Sequence, residues 1–239
     1  MCAESNGLMI AAAPYTSLVI AIPHSVGEPS DVDWNEDASV AGFRDRFTDW
    51  ETDNLFSVDM KGVTIVSCSM SRLDVDAERL EAEADRICNY GNVADTKQVM
   101  STSHWNRCLA EWFRYRTNLM LAVAKGARPL ILDCHSFPSD IAQDVDICLG
   151  FNADNTRPSD ETINAVTGMF QMSGYEVAHN RPYGNAIAPY GYRGHSLMIE
   201  VSKRCYLGPD ERHVGDGFGK LRQTIVAVYR MLLGSSSNQ

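Results

Sequence analysis

Two histidines in this chain follow short apolar runs, a pattern that could place two imidazoles at one site. Residues 129–132 are apolar and lead into Asp133 and His135, while residues 18–22 are apolar and lead, after one proline, into His24. A catalytic zinc ion takes about three protein ligands and keeps one position open for water. Two imidazoles and one carboxylate would meet that need, and the chemistry would be activation of water by a metal.

A third apolar run carries a single acid. Glu200 interrupts residues 196–201, which are otherwise mostly apolar. Burying an unpaired carboxylate costs free energy, so Glu200 needs either a partner or a catalytic task. One such run is equally well explained as a capped strand end, but three runs carrying His, His and Glu together favour a site.

A metal-free alternative would use Ser136 or Cys134 as a nucleophile beside His135. Neighbouring side chains on a strand point to opposite faces, and no Gly-x-Ser-x-Gly motif surrounds either residue. The sequence therefore disfavours a serine or cysteine hydrolase.

The elements that would position these residues alternate between strands and helices, which predicts an α/β protein. Runs that are buried on both faces, or rich in β-branched residues, predict strands, and apolar residues at helical spacing predict helices. Polar residues that follow strands of an open α/β sheet usually meet at one edge. The predicted strands are 17–24, 62–67, 129–137, 146–150, 175–179 and 196–201, and the predicted helices are 41–59, 104–125, 159–172 and 210–233.

The chain shows no repeat and no linker, so we expect one domain over residues 1–239. Residues 1–15 are expected to form a flexible lead-in, and residues 234–239 a flexible tail. His104 is expected to be a helix cap or a surface residue.

Composition excludes some partners. The formal net charge is −10, from 31 acidic and 21 basic residues, which argues against nucleic acid and against an anionic membrane surface. No apolar run approaches the roughly 20 residues of a membrane span. The seven cysteines have irregular spacing and no Cys-x-x-Cys pair, which favours a reducing, cytoplasmic setting.

Several short motifs, taken in order, resemble the N-formylglutamate amidohydrolase family, which is related to the zinc carboxypeptidase fold. They span most of the chain. The matching pieces are 23–25, Asp49 with Asp53, 71–72, 75–79, 133–136, 146–150, 180–183 and 199–200 followed by Tyr206. The resemblance implies a mixed central sheet flanked by helices, as in zinc carboxypeptidases.

The resemblance also implies roles for individual residues. His24 and His135 would bind zinc or another divalent transition metal, and Glu200 would be the general base. Arg79 would take part in catalysis and, with Arg72, would bind a substrate carboxylate, because a guanidinium matches that group. Asp76 would orient His24, a usual role for an acid beside a ligating histidine, and Asp133 would lie in the same outer sphere. Further contacts to substrate are expected from Ser136, Asn180 and Tyr183.

Two positions depart from the pattern. Zinc carboxypeptidases take a carboxylate ligand three residues after the first histidine, but here that residue is Gly27. The third ligand must come from elsewhere, and we expect Asp49, with Glu51, Asp53 and Glu28 as alternatives. Glu78 stands where the family has asparagine, and its negative charge would suit a less acidic or a basic amide.

The expected function is metal-dependent hydrolysis of the amide of an N-formyl or N-acyl amino acid-like small molecule. A metallopeptidase or a deacylase for larger acyl groups is one alternative, and a family member that binds a small acid without turnover is another. A homo-oligomer is compatible with the sequence.

Overall fold

The structure is a computed structural model that describes residues 15–27, 38–79 and 101–234. Residue Glu28, residues 1–14 of the expected lead-in and residues 235–239 of the expected tail lie outside the described residues.

A six-stranded sheet forms the centre of the molecule, in the order β2-β1-β3-β6-β4-β5. All neighbouring strands are parallel except β4 and β6, which pair antiparallel. The sheet is therefore mixed, and the predicted α/β class is confirmed. The strands are β1 Ser17–Ile22, β2 Val63–Ser67, β3 Pro129–Phe137, β4 Ile147–Gly150, β5 Val177–His179 and β6 His195–Ser202.

The three central strands are buried almost along their full length, which explains their nearly continuous apolar sequence. Helices cover the sheet on both faces. The α-helices in the described part of the chain are α1 Ala38–Phe47, α2 Thr52–Phe56, α3 Thr102–Ala124, α4 Asp160–Met172 and α5 Phe218–Leu232.

The two faces of the sheet have separate cores. One core joins Leu132 and Cys134 of the sheet to apolar residues of α2, α4 and α5. The other joins Ile131 on the opposite face to apolar residues of α3 and to Val75. Alternation along β3 accounts for this division, because successive side chains point to opposite faces. Among the described helices, none has the length and apolar character needed to cross a membrane.

Two predicted helices differ from those observed. The segment 41–59 contains two helices, because Glu51 adopts a left-handed backbone conformation with φ of 60° between them. The last helix begins at Phe218 and not at residue 210. A Cβ atom on Gly215 would lie 2.6 Å from the carbonyl oxygen of Leu207, so this glycine allows the backbone to fold back before the helix starts.

Candidate active site

The sheet register brings the sequence-predicted residues together. His135 on β3 lies beside Glu200 on β6, and Asp133 is opposite Ala21 near the end of β1. His24 follows two residues after β1. Asp133 and His135 share one face, as their spacing predicts.

Two buried imidazoles form the centre of the site. The ring centroids of His24 and His135 are 5.3 Å apart. Nε2 of His24 lies 3.2 Å from Asp76 and Nε2 of His135 lies 3.0 Å from Asp133. A carboxylate that accepts the proton of one ring nitrogen leaves the other nitrogen free to bind a metal. These contacts therefore direct the Nδ1 atoms toward a ligand.

Asp49 lies next to both Nδ1 atoms. Its Oδ2 atom is 3.2 Å from Nδ1 of His135 and 3.8 Å from Nδ1 of His24. The Ser136 hydroxyl donates a hydrogen bond to the other oxygen of Asp49 at 3.3 Å. Nδ1 of His24 is buried and has no hydrogen-bond partner among the described residues, which fits a cation ligand at this position.

Glu78 is a second carboxylate at the same centre. Its oxygens lie 3.2 Å from Nε2 of His135 and 3.8 Å from Nδ1 of His24. One ligand atom from each of His24, Glu78 and His135 lies within 4.8 Å of the others, so these residues form a group that could hold a metal ion. Asp49 and Glu78 thus approach the two imidazoles equally closely, and the ring nitrogens left free by Asp76 and Asp133 favour Asp49.

Asp49 and His135 stabilise each other's charged forms. Burial lowers the pKa of His135, but Glu78 and Asp133 outweigh it and raise that pKa well above its usual value. Burial raises the pKa of Asp49, but the hydrogen bond and the charge of His135 outweigh it and lower that pKa. The Asp49 carboxylate is therefore ionised, as a carboxylate that binds a divalent cation must be.

The pKa of Glu200 is raised, whereas that of Asp49 is lowered. Burial raises its pKa to about 8, and the negative charges of Asp49 and Glu78 act in the same direction. Its Oε2 atom is buried without a hydrogen-bond partner in the described part of the chain. A carboxyl group that takes up a proton easily and stands beside the imidazoles is suited to carry protons during a reaction.

Helix α3 holds the segment 68–79, which supplies much of the site. Glu111 accepts hydrogen bonds from the Ser69 backbone N–H at 2.5 Å and from its hydroxyl at 2.9 Å. The indole of Trp112 donates to the backbone carbonyl of Arg79 at 3.0 Å. The segment is thus anchored near both ends.

His104 provides a further anchor, and its predicted role as a cap or surface residue is wrong. Its side chain is buried, with Nε2 3.3 Å from the buried Asp74. The helix cap is Ser101, whose hydroxyl accepts the backbone N–H of His104. The local sequence could not reveal Asp74 as a partner, because that contact depends on the packing of α3.

A cavity of about 690 Å³ opens over the imidazoles. Its walls contain most of the predicted site residues: His24, Asp49, Arg72, Arg79, Asp133, His135, Ser136, Tyr183 and Glu200. Arg79 pairs with Asp76 at 2.9 Å, and Arg72 donates to the Phe47 carbonyl at 2.8 Å. Both arginines thus reach the cavity while anchored to the surrounding chain.

Three candidate metal-binding or substrate-binding residues lie away from the cavity wall. Asn180 accepts a hydrogen bond from the Phe151 backbone N–H at 2.9 Å, and Glu51 accepts one from Asn54 at 2.7 Å. Asp53 lies exposed on α2. None of the three is among the residues that line the cavity.

Other lining residues were not predicted to bind substrate. They are Phe47, Glu78, Arg116, Pro138, Asn152, Asp154, Met198 and the chain from Gly184 to Ala188. Asn152 and Asp154 follow β4 closely, so their position after a strand was an available signal. Arg116 lies on α3, and nothing in its local sequence distinguishes it from an ordinary surface arginine.

Comparisons with known proteins place these features in context. The chain matches the sequence model of a family described as N-formylglutamate amidohydrolase over residues 16–207. A crystal structure of N-formylglutamate amidohydrolase from Ralstonia eutropha JMP134 is similar, with a TM-score of 0.74 and 21% identity. That match covers 91% of this chain and 92% of the other.

A second similar structure is the gene product Atu2144 from Agrobacterium tumefaciens. Its TM-score is 0.57 at 15% identity, over 95% of this chain and 91% of the other. No curated protein matches this chain. At these identities, the two structures support the fold, and the match over residues 16–207 supports the family.

Proposed function

Because this chain belongs to the N-formylglutamate amidohydrolase family, we propose that it is a metal-dependent hydrolase of an N-formyl or N-acyl amino acid-like amide. The family supports hydrolysis of an amide; dependence on zinc or a related divalent ion is our proposal. Its main support is the pair of buried imidazoles, each with Nε2 against an acid and Nδ1 near Asp49.

His24, His135 and Asp49 would hold the ion, with Glu78 as the competing carboxylate. When bound, a divalent ion polarises the amide carbonyl and makes water a better nucleophile. Asp76 and Asp133 would hold the two imidazoles in the tautomer that presents Nδ1. Ser136 would fix the orientation of Asp49 through its hydrogen bond.

Glu200 would move the proton. It accepts a proton from the attacking water and delivers it to the nitrogen of the leaving amine as the C–N bond breaks. The products are a carboxylic acid and an amine, so no oxidant or further reactant is needed. Arg72 and Arg79 would bind a carboxylate of the substrate, and Tyr183 would contact its outer part.

The volume of the cavity supports a second candidate function that would use the same site residues. At about 690 Å³ it lies well within the range of about 300–1,000 Å³ that is usual for small-molecule sites. A formyl group is the smallest acyl group, so this volume leaves room for a larger one. A deacylase for larger acyl groups or a peptidase therefore remains a candidate.

Metal content and turnover test the proposal together. Purified protein should hold about one zinc-like ion per chain, and a chelator should abolish hydrolysis of the best substrate in a panel of N-formyl, N-acetyl and longer N-acyl amino acids. His24→Ala and His135→Ala should each lose metal. His213→Ala is the matched control, because that imidazole is largely exposed and pairs with Asp210 outside the cavity.

Full activity in a strong chelator, without metal by elemental analysis, would refute metal dependence. Tight binding of an N-acyl amino acid to the metal-loaded protein without any product would instead identify a non-catalytic binding protein.

A further inference from the structure

Two buried side chains from a distant segment hold the short connection between α1 and α2 that carries Asp49. Lys203 and Tyr206 follow directly after β6, the strand that contains Glu200. Both residues are completely buried. Burying an ammonium group or a phenol hydroxyl costs free energy unless the group is hydrogen-bonded, and the proposed mechanism uses neither of these two side chains. Their hydrogen bonds therefore indicate what they do.

Lys203 holds the chain before Asp49. Its Nζ atom donates to the backbone carbonyls of Arg46 at 2.5 Å and of Asp45 at 3.4 Å, in the last turn of α1. Burial lowers the pKa of Lys203 to about 8, so the ammonium group stays protonated at neutral pH. The last carbonyls of a helix lack partners within it and form the negative end of its dipole, which favours a cation there. Lys203 thus fixes the end of α1.

Tyr206 holds the chain after Asp49. Its hydroxyl donates to the backbone carbonyl of Trp50 at 2.7 Å. Asp49 itself donates its backbone N–H to the His24 carbonyl at 3.1 Å, and its own carbonyl accepts the Thr52 hydroxyl at 2.7 Å. The main chain is therefore held on both sides of Asp49, which fixes the direction in which its carboxylate leaves the backbone.

The inference rests on the proposed metal dependence, with Asp49 as a ligand. On that basis we infer that Lys203 and Tyr206 are positioning residues, which hold the Asp49 carboxylate at the two imidazoles. Neither side chain would touch the ion or the substrate, since neither is among the residues that line the cavity. A ligand on a loosely held connection would have to be ordered when the ion binds, and that loss of entropy would weaken binding.

Tyr206→Phe tests the contact after Asp49, because it removes one hydroxyl and keeps the ring. Zinc affinity is measured by competition with a chelating dye and should fall about 10-fold, the lower end of the range for losing a partner outside the first coordination sphere. Tyr229→Phe is the matched control. That tyrosine is equally buried, and its hydroxyl donates to the Phe56 carbonyl at 3.1 Å, away from the cavity wall.

The control should leave zinc affinity unchanged, although each variant loses one buried hydrogen bond and should lower the urea midpoint of unfolding by a similar amount. Lys203→Met tests the contact before Asp49 with an uncharged side chain of similar length, and it should also weaken zinc binding by about 10-fold. Should Lys203→Met fail to fold, Tyr206→Phe still decides the outcome.

A double-mutant cycle shows whether these residues act through Asp49. In Asp49→Ala protein, Tyr206→Phe should change zinc affinity by no more than about 2-fold, the error within which independent changes add. A hydrogen bond that only stabilised the fold would instead have the same effect on zinc affinity with and without the Asp49 carboxylate.

Zinc affinity in Tyr206→Phe equal to that in Tyr229→Phe would overturn the inference. An equal loss of affinity in both backgrounds of the cycle would also overturn it. Failure of the proposed function looks different, because the unchanged protein would then bind no zinc, which overturns metal dependence and the inference together. Normal zinc binding by Asp49→Ala would remove Asp49 as a ligand, and the inference with it, but would leave metal dependence standing.

Discussion

Asp49 illustrates how one residue can be assigned by the hydrogen bonds of its neighbours. Asp76 and Asp133 engage the Nε2 atoms of the two imidazoles, and Asp49 faces both Nδ1 atoms. The two alternatives from the same part of the sequence, Glu51 and Asp53, lie outside the cavity wall. At the scale of single residues, Asp49 is therefore our proposed third ligand.

Asp49→Ala should weaken metal binding by more than the ~10–100-fold that is typical for loss of a partner outside the first coordination sphere. Asp53→Ala is the matched control and should bind metal as the unchanged protein does. The measurement is competition with a chelating dye. Equal metal affinity in the two variants would contradict the assignment and favour Glu78.

Glu200→Gln keeps the size of the side chain but removes the proton acceptor. The turnover number kcat should fall by ~10²–10⁴-fold, because a positioned base typically contributes that much. Metal content should stay near normal, since Glu200 is not among the proposed ligands. Retention of most of kcat would exclude Glu200 as the base.

At the scale of elements, α3 positions the segment 68–79 through polar contacts that lie near both ends of that segment. Glu111 contributes several of these contacts, because its carboxylate accepts hydrogen bonds from Ser69 and from Arg114. Burial raises the pKa of Glu111, but Arg114 and Ser69 outweigh it and lower the pKa from 4.5 to about 2. The carboxylate is therefore more stable in the folded chain than in the unfolded one.

Glu111→Gln should lower the free energy of unfolding at neutral pH by about 1.5–3 kcal/mol, the range for hydrogen bonds to charged groups. The folded-state pKa is depressed, so this contribution is fully present above the unfolded pKa near 4.5 and is lost as pH falls toward about 2. Urea unfolding at several pH values measures the difference. A difference in unfolding free energy that stays constant down to pH 2 would show that it does not come from the Glu111 charge. The control Glu176→Gln, at an exposed position, should show almost no difference.

At the scale of the whole molecule, one face of the sheet packs against an apolar core and the other carries the candidate site. One face is closed by an apolar core under α2, α4 and α5. The other carries α3, the segment 68–79 and the site. The antiparallel strand β4 brings Gly150 beside Met198 on β6, where the chain around Asn185 passes over the sheet and forms a cavity wall.

Gly150→Ala should therefore disturb that wall. The added Cβ would lie 2.5 Å from the Asn185 carbonyl oxygen and would also clash with Met198. We expect a loss of about 1–3 kcal/mol, as for other overpacked sites, and a fall in Tm of several degrees. Gly168→Ala in α4 has open space around it and should instead stabilise by about 0.4–1 kcal/mol. If Gly150→Ala and Gly168→Ala shift Tm in the same direction, this packing argument is refuted.

The sequence by itself determined the features that depend on local periodicity. Apolar runs predicted the six strands of the sheet, and alternation along β3 put Asp133 and His135 on one face with Cys134 on the other. The helix predicted from residue 159 begins there, because the Ser159 hydroxyl accepts the Thr162 backbone N–H and caps it. These features need only the residues next to them in the chain.

Only the tertiary structure decided which side chains meet from distant segments. Asp49 contacts His135, which lies 86 positions away in the sequence. The contact between buried His104 and Asp74 likewise depends on the packing of α3. The break at Glu51 and the late start of α5 likewise depend on how the backbone folds against other segments. The sequence predicted only that Glu78 places a negative charge near the substrate. Its approach to both imidazoles depends on the contacts by which α3 anchors the segment 68–79. Such contacts arise from long-range packing, which has no periodic signal in the local sequence.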